Sequence, residues 1–258
     1  MRKLALFASA LALSAAMASA EDIKVGVTPG EHAEIMEQIV PLAAAKGLNI
    51  DVIEFSDYVV PNTALADGDL NANSFQHVPY LENQIKDRGF EIVAVAKTIT
   101  TPMGVYSNKV KSLDELADGA TVAIPNDPTN GGRALLVLAD EGVIKVSPDA
   151  GLVPTPLDIT ENPRNLKFRE LDAAQLPRAL QDADAAVINT NYALDAGLSP
   201  KNDAIAMEKA DSPYANVIAV RKGDEEQPWL KTLVEVYHSP EIKNYIETKY
   251  EGAVIPAW

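Results

Sequence analysis

The sequence holds 258 residues with a formal net charge of −15 and no cysteine. This acidic balance sets aside nucleic acid and anionic membrane surfaces as partners, and the missing thiol excludes disulfides, thiolate metal sites and a cysteine nucleophile. Histidine occurs only as His32, His77 and His238, without HxxxH or HxH spacing, so no metal or other cofactor is expected.

The first twenty residues, MRKLALFASALALSAAMASA, place Arg2 and Lys3 before an apolar run from Leu4 and end on Ala18-Ser19-Ala20. This is the layout of a secretory signal peptide cleaved after Ala20. No later stretch has the ~18 uninterrupted apolar residues of a membrane-spanning helix. The remainder is long enough for one large domain or two lobes of roughly 100 residues each.

After the leader, IKVGV (23–27) reads as a buried strand, and TPGEHAEIMEQIVPLAAAKG sets Ile35, Ile39 and Val40 on one helical face until Gly47. LNIDVIEF (48–55) is a second strand. Asp57 is placed to cap a short helix with Pro61 in its first turns and Gly68 at its end. DLNANSF (69–75) is a third strand, unusually polar. The following NSFQHVPYL becomes a helix start, with His77 near the N-cap and Pro79 in the first turn, running on to Gly89. EIVAVA (91–96) closes this unit. The β-α alternation implies a doubly wound sheet, whose ligands bind outside the carboxyl ends of the strands.

A second α/β unit starts at TPMGVYS (101–107). It continues through a short helix in KSLDELADG, a strand at TVAIP (121–125), and a helix in NDPTNGGRALLVLADEG capped by Asp127 with Pro128 in its first turn. LKFREL (166–171) and DAAVINT (184–190) read as strands, and NVIAV within SPYANVIAVRKG as another, before two terminal helical segments. The order fits an α/β protein of two lobes joined by crossovers near 98–102 and 203–214. Residues 21–100 with 203–258 form one lobe and 101–202 the other.

Three constellations carry chemistry. In NDPTNGGRAL a helix N-terminus with unpaired backbone N–H groups attracts an anion, and Arg133 adds donors suited to a carboxylate; a capped helix with a surface arginine reads the same residues equally well. In VINTNYA, Asn189 and Asn191 sit at a strand end, where amides match both charged groups of a zwitterion or satisfy a turn. Asn216 poses the same choice. Tyr58, Phe75, His77 and Tyr80 form an aromatic set that serves as pocket wall or as core. His77 as a general base lacks a nucleophile elbow.

The segments DYVVPNTALADGDLNANSFQHVPYL, YSNKVKSLDEL, IPNDPTNGGRALLVL, VINTNYA, SPYANVIAV and the terminal GAVIPAW, in this order, resemble the NlpA-type methionine-binding proteins of methionine ABC importers. The resemblance implies a two-lobed periplasmic-binding-protein fold, type II-like, with a doubly wound sheet flanked by helices in each lobe and two crossovers. It implies a monomeric carrier, not an enzyme, that takes L-methionine, D-methionine or a related thioether amino acid to an inner-membrane permease with its ATPase. Tyr58, Phe75, His77 and Tyr80 would hold the side chain, Arg133 the carboxylate, and Asn189 and Asn216 the polar end, with Asn130 and Asn191 as further contacts. A carrier for another small amino acid or peptide is the alternative, and a periplasmic enzyme using His77 a more distant one. Many family members carry lipid on a cysteine after the leader. This chain has none, so a freely diffusing periplasmic protein with no lipid anchor is expected.

Overall fold

The computed structural model describes residues 20–209 and 213–258. The expected leader lies outside the described residues apart from Ala20. Strand β1 (Glu21–Val27) leads through a glycine turn into helix α1 (Glu31–Ala44), and β2 (Leu48–Glu54) returns parallel to β1. Asp57 Oδ1 accepts from the backbone N–H groups of Val59 and Val60 at 2.6 and 2.9 Å, starting α2 (Val60–Asp67). Gly68, at φ 86°, ends that helix in the left-handed conformation glycine tolerates.

β3 (Ala72–His77) begins three residues later than the sequence pattern suggests and runs to His77, which is also the N-cap of α3 (Val78–Arg88). Then come β4 (Ile92–Lys97), β5 (Ile99–Thr100) and β6 (Gly104–Tyr106), and β7 (Thr121–Pro125) leads into α4 (Pro128–Asp140). A hairpin-like pair, β8 (Lys145–Val146) and β9 (Ile159–Glu161), precedes β10 (Lys167–Leu171). The chain continues with α5 (Leu176–Ala179), β11 (Ala185–Ile188), α6 (Thr190–Asp195), α7 (Pro200–Asp203) and β12 (Ala204–Met207). It closes with β13 (Asn216–Arg221), α8 (Pro228–Tyr237), α9 (Pro240–Tyr250) and β14 (Ile255–Pro256), which pairs with β5. The helix expected in KSLDELADG is only a single 3-10 turn, Leu113–Glu115.

Two five-stranded sheets result, ordered β2-β1-β3-β13-β4 and β10-β7-β11-β6-β12. Each is mixed: β13 runs antiparallel to both β3 and β4, and β6 antiparallel to both β11 and β12. The late strand β13 thus inserts between two strands that follow one another closely in sequence. The return to the first lobe also lies later than the expected boundary at 203, because Ala204–Met207 hydrogen-bonds to the edge of the second sheet. A four-residue strand reading AIAM carries too little alternation to be seen beforehand.

Each lobe has its own core. In the first, Ile35, Met36 and Ile39 of α1 pack with Val25 and Val27 beneath and with Leu230, Leu233 and Tyr237 of α8. In the second, Leu135 and Leu138 of α4 meet Val122, Ile124 and Val187. Burial of a leucine- or isoleucine-sized side chain stabilises a fold by about 1.5–3 kcal/mol, so each sheet is a rigid platform for the loops at its carboxyl edge.

Candidate functional site

β3 is buried along its whole length although Asn73, Ser74 and Gln76 are polar. The polarity is accommodated by a closed amide network. Gln76 Nε2 donates to Asn62 Oδ1 at 2.7 Å, Asn62 Nδ2 donates back to Gln76 Oε1 at 2.8 Å, and Asn73 Nδ2 donates to Asn62 Oδ1 at 2.9 Å. A fully satisfied buried network fixes one arrangement, and it ties α2 to β3 just where Phe75 and His77 project.

Those two rings join Tyr58 and Tyr80 in one wall. Tyr58 lies 6.0 Å from Phe75 and 6.1 Å from Tyr80 between ring centroids, and Phe75 lies 6.1 Å from Tyr80 at a near-perpendicular angle. The Tyr80 hydroxyl donates to the Tyr58 carbonyl at 2.8 Å, which locks the two rings together. His77 is held at both nitrogens: Nδ1 accepts the Tyr80 backbone N–H at 3.1 Å, and Nε2 lies 3.2 Å from Asn130 Oδ1. The proton therefore sits on Nε2. Burial, aided by the positive charge of Arg133, pushes the imidazole down from 6.5 to about 3, so His77 is neutral and has no free nitrogen for general-base work.

The second lobe supplies the polar wall. Asp127 caps α4, accepting the Asn130 N–H and the Asn130 side-chain amide, each at 2.9 Å. Asn130 Oδ1 accepts in turn from Asn189 Nδ2 at 2.8 Å. Glycine is required one turn on: a Cβ on Gly132 would stand 2.7 Å from the backbone of Val153, so the packing of α4 on that loop depends on its absence. Arg133 is buried at 2 % side-chain exposure. Its Nε donates to both Glu208 carboxylate oxygens at 3.0 and 3.1 Å and its Nη2 to Glu208 Oε2 and, at 2.9 Å, to the Thr101 carbonyl. The guanidinium also stacks 4.4 Å from the Tyr214 ring centroid.

These walls enclose one narrow cavity at the carboxyl edges of both sheets. It holds about 310 Å³ of space between atoms. All nine residues named from the sequence border it: Tyr58, Phe75, His77 and Tyr80 on one side, Asn130, Arg133, Asn189 and Asn191 on the other, and Asn216 at the return of the chain. The Asn216 amide donates to the Ile99 carbonyl at 3.3 Å.

Three fully buried side-chain atoms on the cavity have no partner among the described residues: Asn189 Oδ1, Asn191 Nδ2 and His32 Nδ1. A buried orphan of this kind costs about 1–3 kcal/mol, so these atoms present one acceptor and further donor or acceptor capacity to whatever enters. His32, Gln76 and Thr101 line the cavity without having been singled out beforehand, and Glu208 and Tyr214 hold Arg133 from behind. A histidine five residues past the first strand was the only visible signal for His32. Glu208 gave none, because an acidic residue in AIAMEKADSPY becomes meaningful only beside an arginine 75 positions away.

Residues 23–258 match the family model described as NlpA lipoprotein. The chain is 49% identical over 239 residues to the D-methionine-binding lipoprotein MetQ of Salmonella typhimurium, covering 92% of this chain and 88% of that protein. Its structure resembles that of a nutrient binding protein from Burkholderia cenocepacia bound to methionine, with a TM-score of 0.89, 55% identity and coverage of 92% of this chain and all of the other. A periplasmic substrate-binding protein of an ABC transporter from Coxiella burnetii is similar at TM-score 0.88 and 47% identity, over 91% of this chain and 100% of that one. One expectation is corrected here. The freely diffusing protein without a lipid anchor was inferred from the missing cysteine, but the matched family and the Salmonella relative are lipoproteins by name, which speaks against that expectation. Fold, matched length and identity together assign the chain: it belongs to the NlpA lipoprotein family.

Proposed function

We propose that this chain captures methionine between its two lobes and hands it to an ABC importer. The observation that carries this is the pairing of an aromatic wall from one lobe with Arg133 and the orphaned atoms of Asn189 and Asn191 from the other. A thioether is apolar and polarizable, and contacts between sulfur and aromatic rings contribute ~0.3–1.5 kcal/mol each. Tyr58, Phe75, His77 and Tyr80 provide such contacts for the side chain. The guanidinium of Arg133 pairs with the carboxylate, with the Asn191 amide beside it, while Asn189 Oδ1 accepts from the ammonium and Asn216 and Asn130 complete the polar end. A buried zwitterion without such partners would be several kcal/mol unfavourable. Because the two walls come from different lobes, the ligand stabilises the closed form over the open one, which lets a transporter tell loaded from empty protein.

The family and the methionine-bound relative support this reading, and a carrier rather than an enzyme agrees with a histidine whose nitrogens are both engaged. The Salmonella relative is named for D-methionine, so both enantiomers belong in the test. Native mass spectrometry of the purified protein, followed by calorimetry with L-methionine, D-methionine and a panel of other amino acids, decides the matter. Co-purified methionine, or micromolar binding of either enantiomer, is expected. Binding of a different amino acid with neither enantiomer competing would overturn the assignment.

A further inference from the structure

Glu208 lies on the segment that returns the chain to the first lobe, just after β12, and its carboxylate does three things at once. It accepts Nε and Nη2 of Arg133, and it accepts the backbone N–H of Met103 at 3.0 Å on the opposite crossover. It does not line the ligand cavity; it borders a separate cavity on the far side of Arg133, with Leu136, Met207 and Tyr214. A ligand in the main cavity therefore meets Arg133 and not Glu208. None of the hydrogen bonds of Arg133 leaves from Nη1, so among the described residues that end of the fork has no acceptor.

The charge balance follows from the same geometry. Among the described residues Arg133 is the only lysine, arginine, aspartate or glutamate lining the cavity, and Glu208 is buried against it at 10 % side-chain exposure. His32 and His77, the other basic groups on the wall, are kept neutral by burial. Among the described residues the Arg133–Glu208 pair thus adds no net charge to the site while still offering a guanidinium edge on one side and the Asn189 side-chain oxygen on the other.

Resting on the carrier reading above, we propose that Glu208 is a positioning and specificity-determining residue: by occupying Nε and Nη2 it presents Nη1 to the ligand carboxylate, and by cancelling the charge of Arg133 it makes the cavity select zwitterionic amino acids over anions bearing the same side chain. An anion entering this site would leave a net negative charge in a low-dielectric space, whereas a zwitterion adds none. Without Glu208, Arg133 would become an uncompensated cation that favours the anion.

The test compares methionine with its hydroxy-acid analogue, which keeps the thioether and carboxylate but carries a hydroxyl in place of the ammonium. Calorimetry on the wild-type protein is expected to give methionine an advantage of at least about tenfold. Glu208→Gln, which keeps the shape and removes the charge, should weaken methionine and narrow that ratio by roughly tenfold, whereas Glu208→Asp should keep it. Equal wild-type affinity for the two compounds overturns the inference, and so does an unchanged ratio in Glu208→Gln. Narrowing in Glu208→Asp as large as in Glu208→Gln would assign the effect to shape and overturn it as well. Failure of the wild-type protein to bind methionine at all is a different result, which removes the carrier reading and this inference with it.

Discussion

The hydroxyl of Tyr58 donates to Oδ1 of Asn191 at 2.5 Å, joining the aromatic wall of one lobe directly to the polar wall of the other. Tyr58 also faces Tyr192 across the cleft, 5.0 Å between ring centroids, and the Tyr192 hydroxyl donates to the Ser56 carbonyl at 3.2 Å. The closed cleft is therefore latched beside the ligand as well as through it. Tyr58→Phe keeps the ring and removes the latch. It should weaken methionine binding by about 0.5–1.5 kcal/mol, chiefly as faster dissociation. Stopped-flow kinetics would read this, and an unchanged dissociation rate would separate the bond from closure.

Gly30 packs against the backbone of Asn191 across the cleft. It has φ 83°, and a Cβ there would stand 2.5 Å from the Asn191 carbonyl oxygen. Gly30→Ala should obstruct closure while leaving each lobe folded, because the strain at positive φ is of order 1 kcal/mol and the clash exists only when the lobes meet. Small-angle scattering with saturating methionine should show a more open particle than wild type.

The buried Arg133–Glu208 pair predicts a non-additive pattern in stability. Removing one partner leaves an uncompensated buried charge, so Arg133→Met should destabilise by about 3–5 kcal/mol, while Arg133→Met with Glu208→Met should recover much of that loss. Urea denaturation of the single and double variants, without ligand, measures it. Additive losses would show that the pair is not desolvated as its burial indicates.

Stability should pass through a maximum in mildly acidic solution. Burial, with Glu34 nearby, raises Glu31 from 4.5 to about 8, while burial lowers His32 to about 4 and His77 to about 3. Stability increases with pH wherever the unfolded chain binds more protons than the native one. Between 6.5 and 8 only Glu31 differs, bound to a proton when folded and ionised when unfolded, so stability falls as pH rises. Below 6.5 the two histidines take up protons in the unfolded chain alone, and stability falls as pH drops toward 4. Glu31→Gln keeps the neutral form at every pH and should raise stability at pH 8 by roughly 2–4 kcal/mol. Thermal melts of both proteins from pH 4 to 9 test this, and parallel profiles would contradict it.

Much of the molecule was legible in the sequence because its signals are local. Asp57 and Gly68 bracket α2, Asp127 and Pro128 start α4, and His77 caps α3, each through contacts within a few residues of itself. The family resemblance singled out the aromatic residues and Arg133 as a candidate site, and strand ends and helix starts gather them around one cavity at the edge of the sheets. The tertiary structure alone decided what depends on distant returns of the chain. β13 inserts between β3 and β4, β12 joins the second sheet, His32 turns into the cavity, and Glu208 meets Arg133. The physical reason is the range of the interactions: caps and hydrophobic period are set by neighbours, whereas the partner of a buried charge is chosen only when remote segments pack and water is excluded between them.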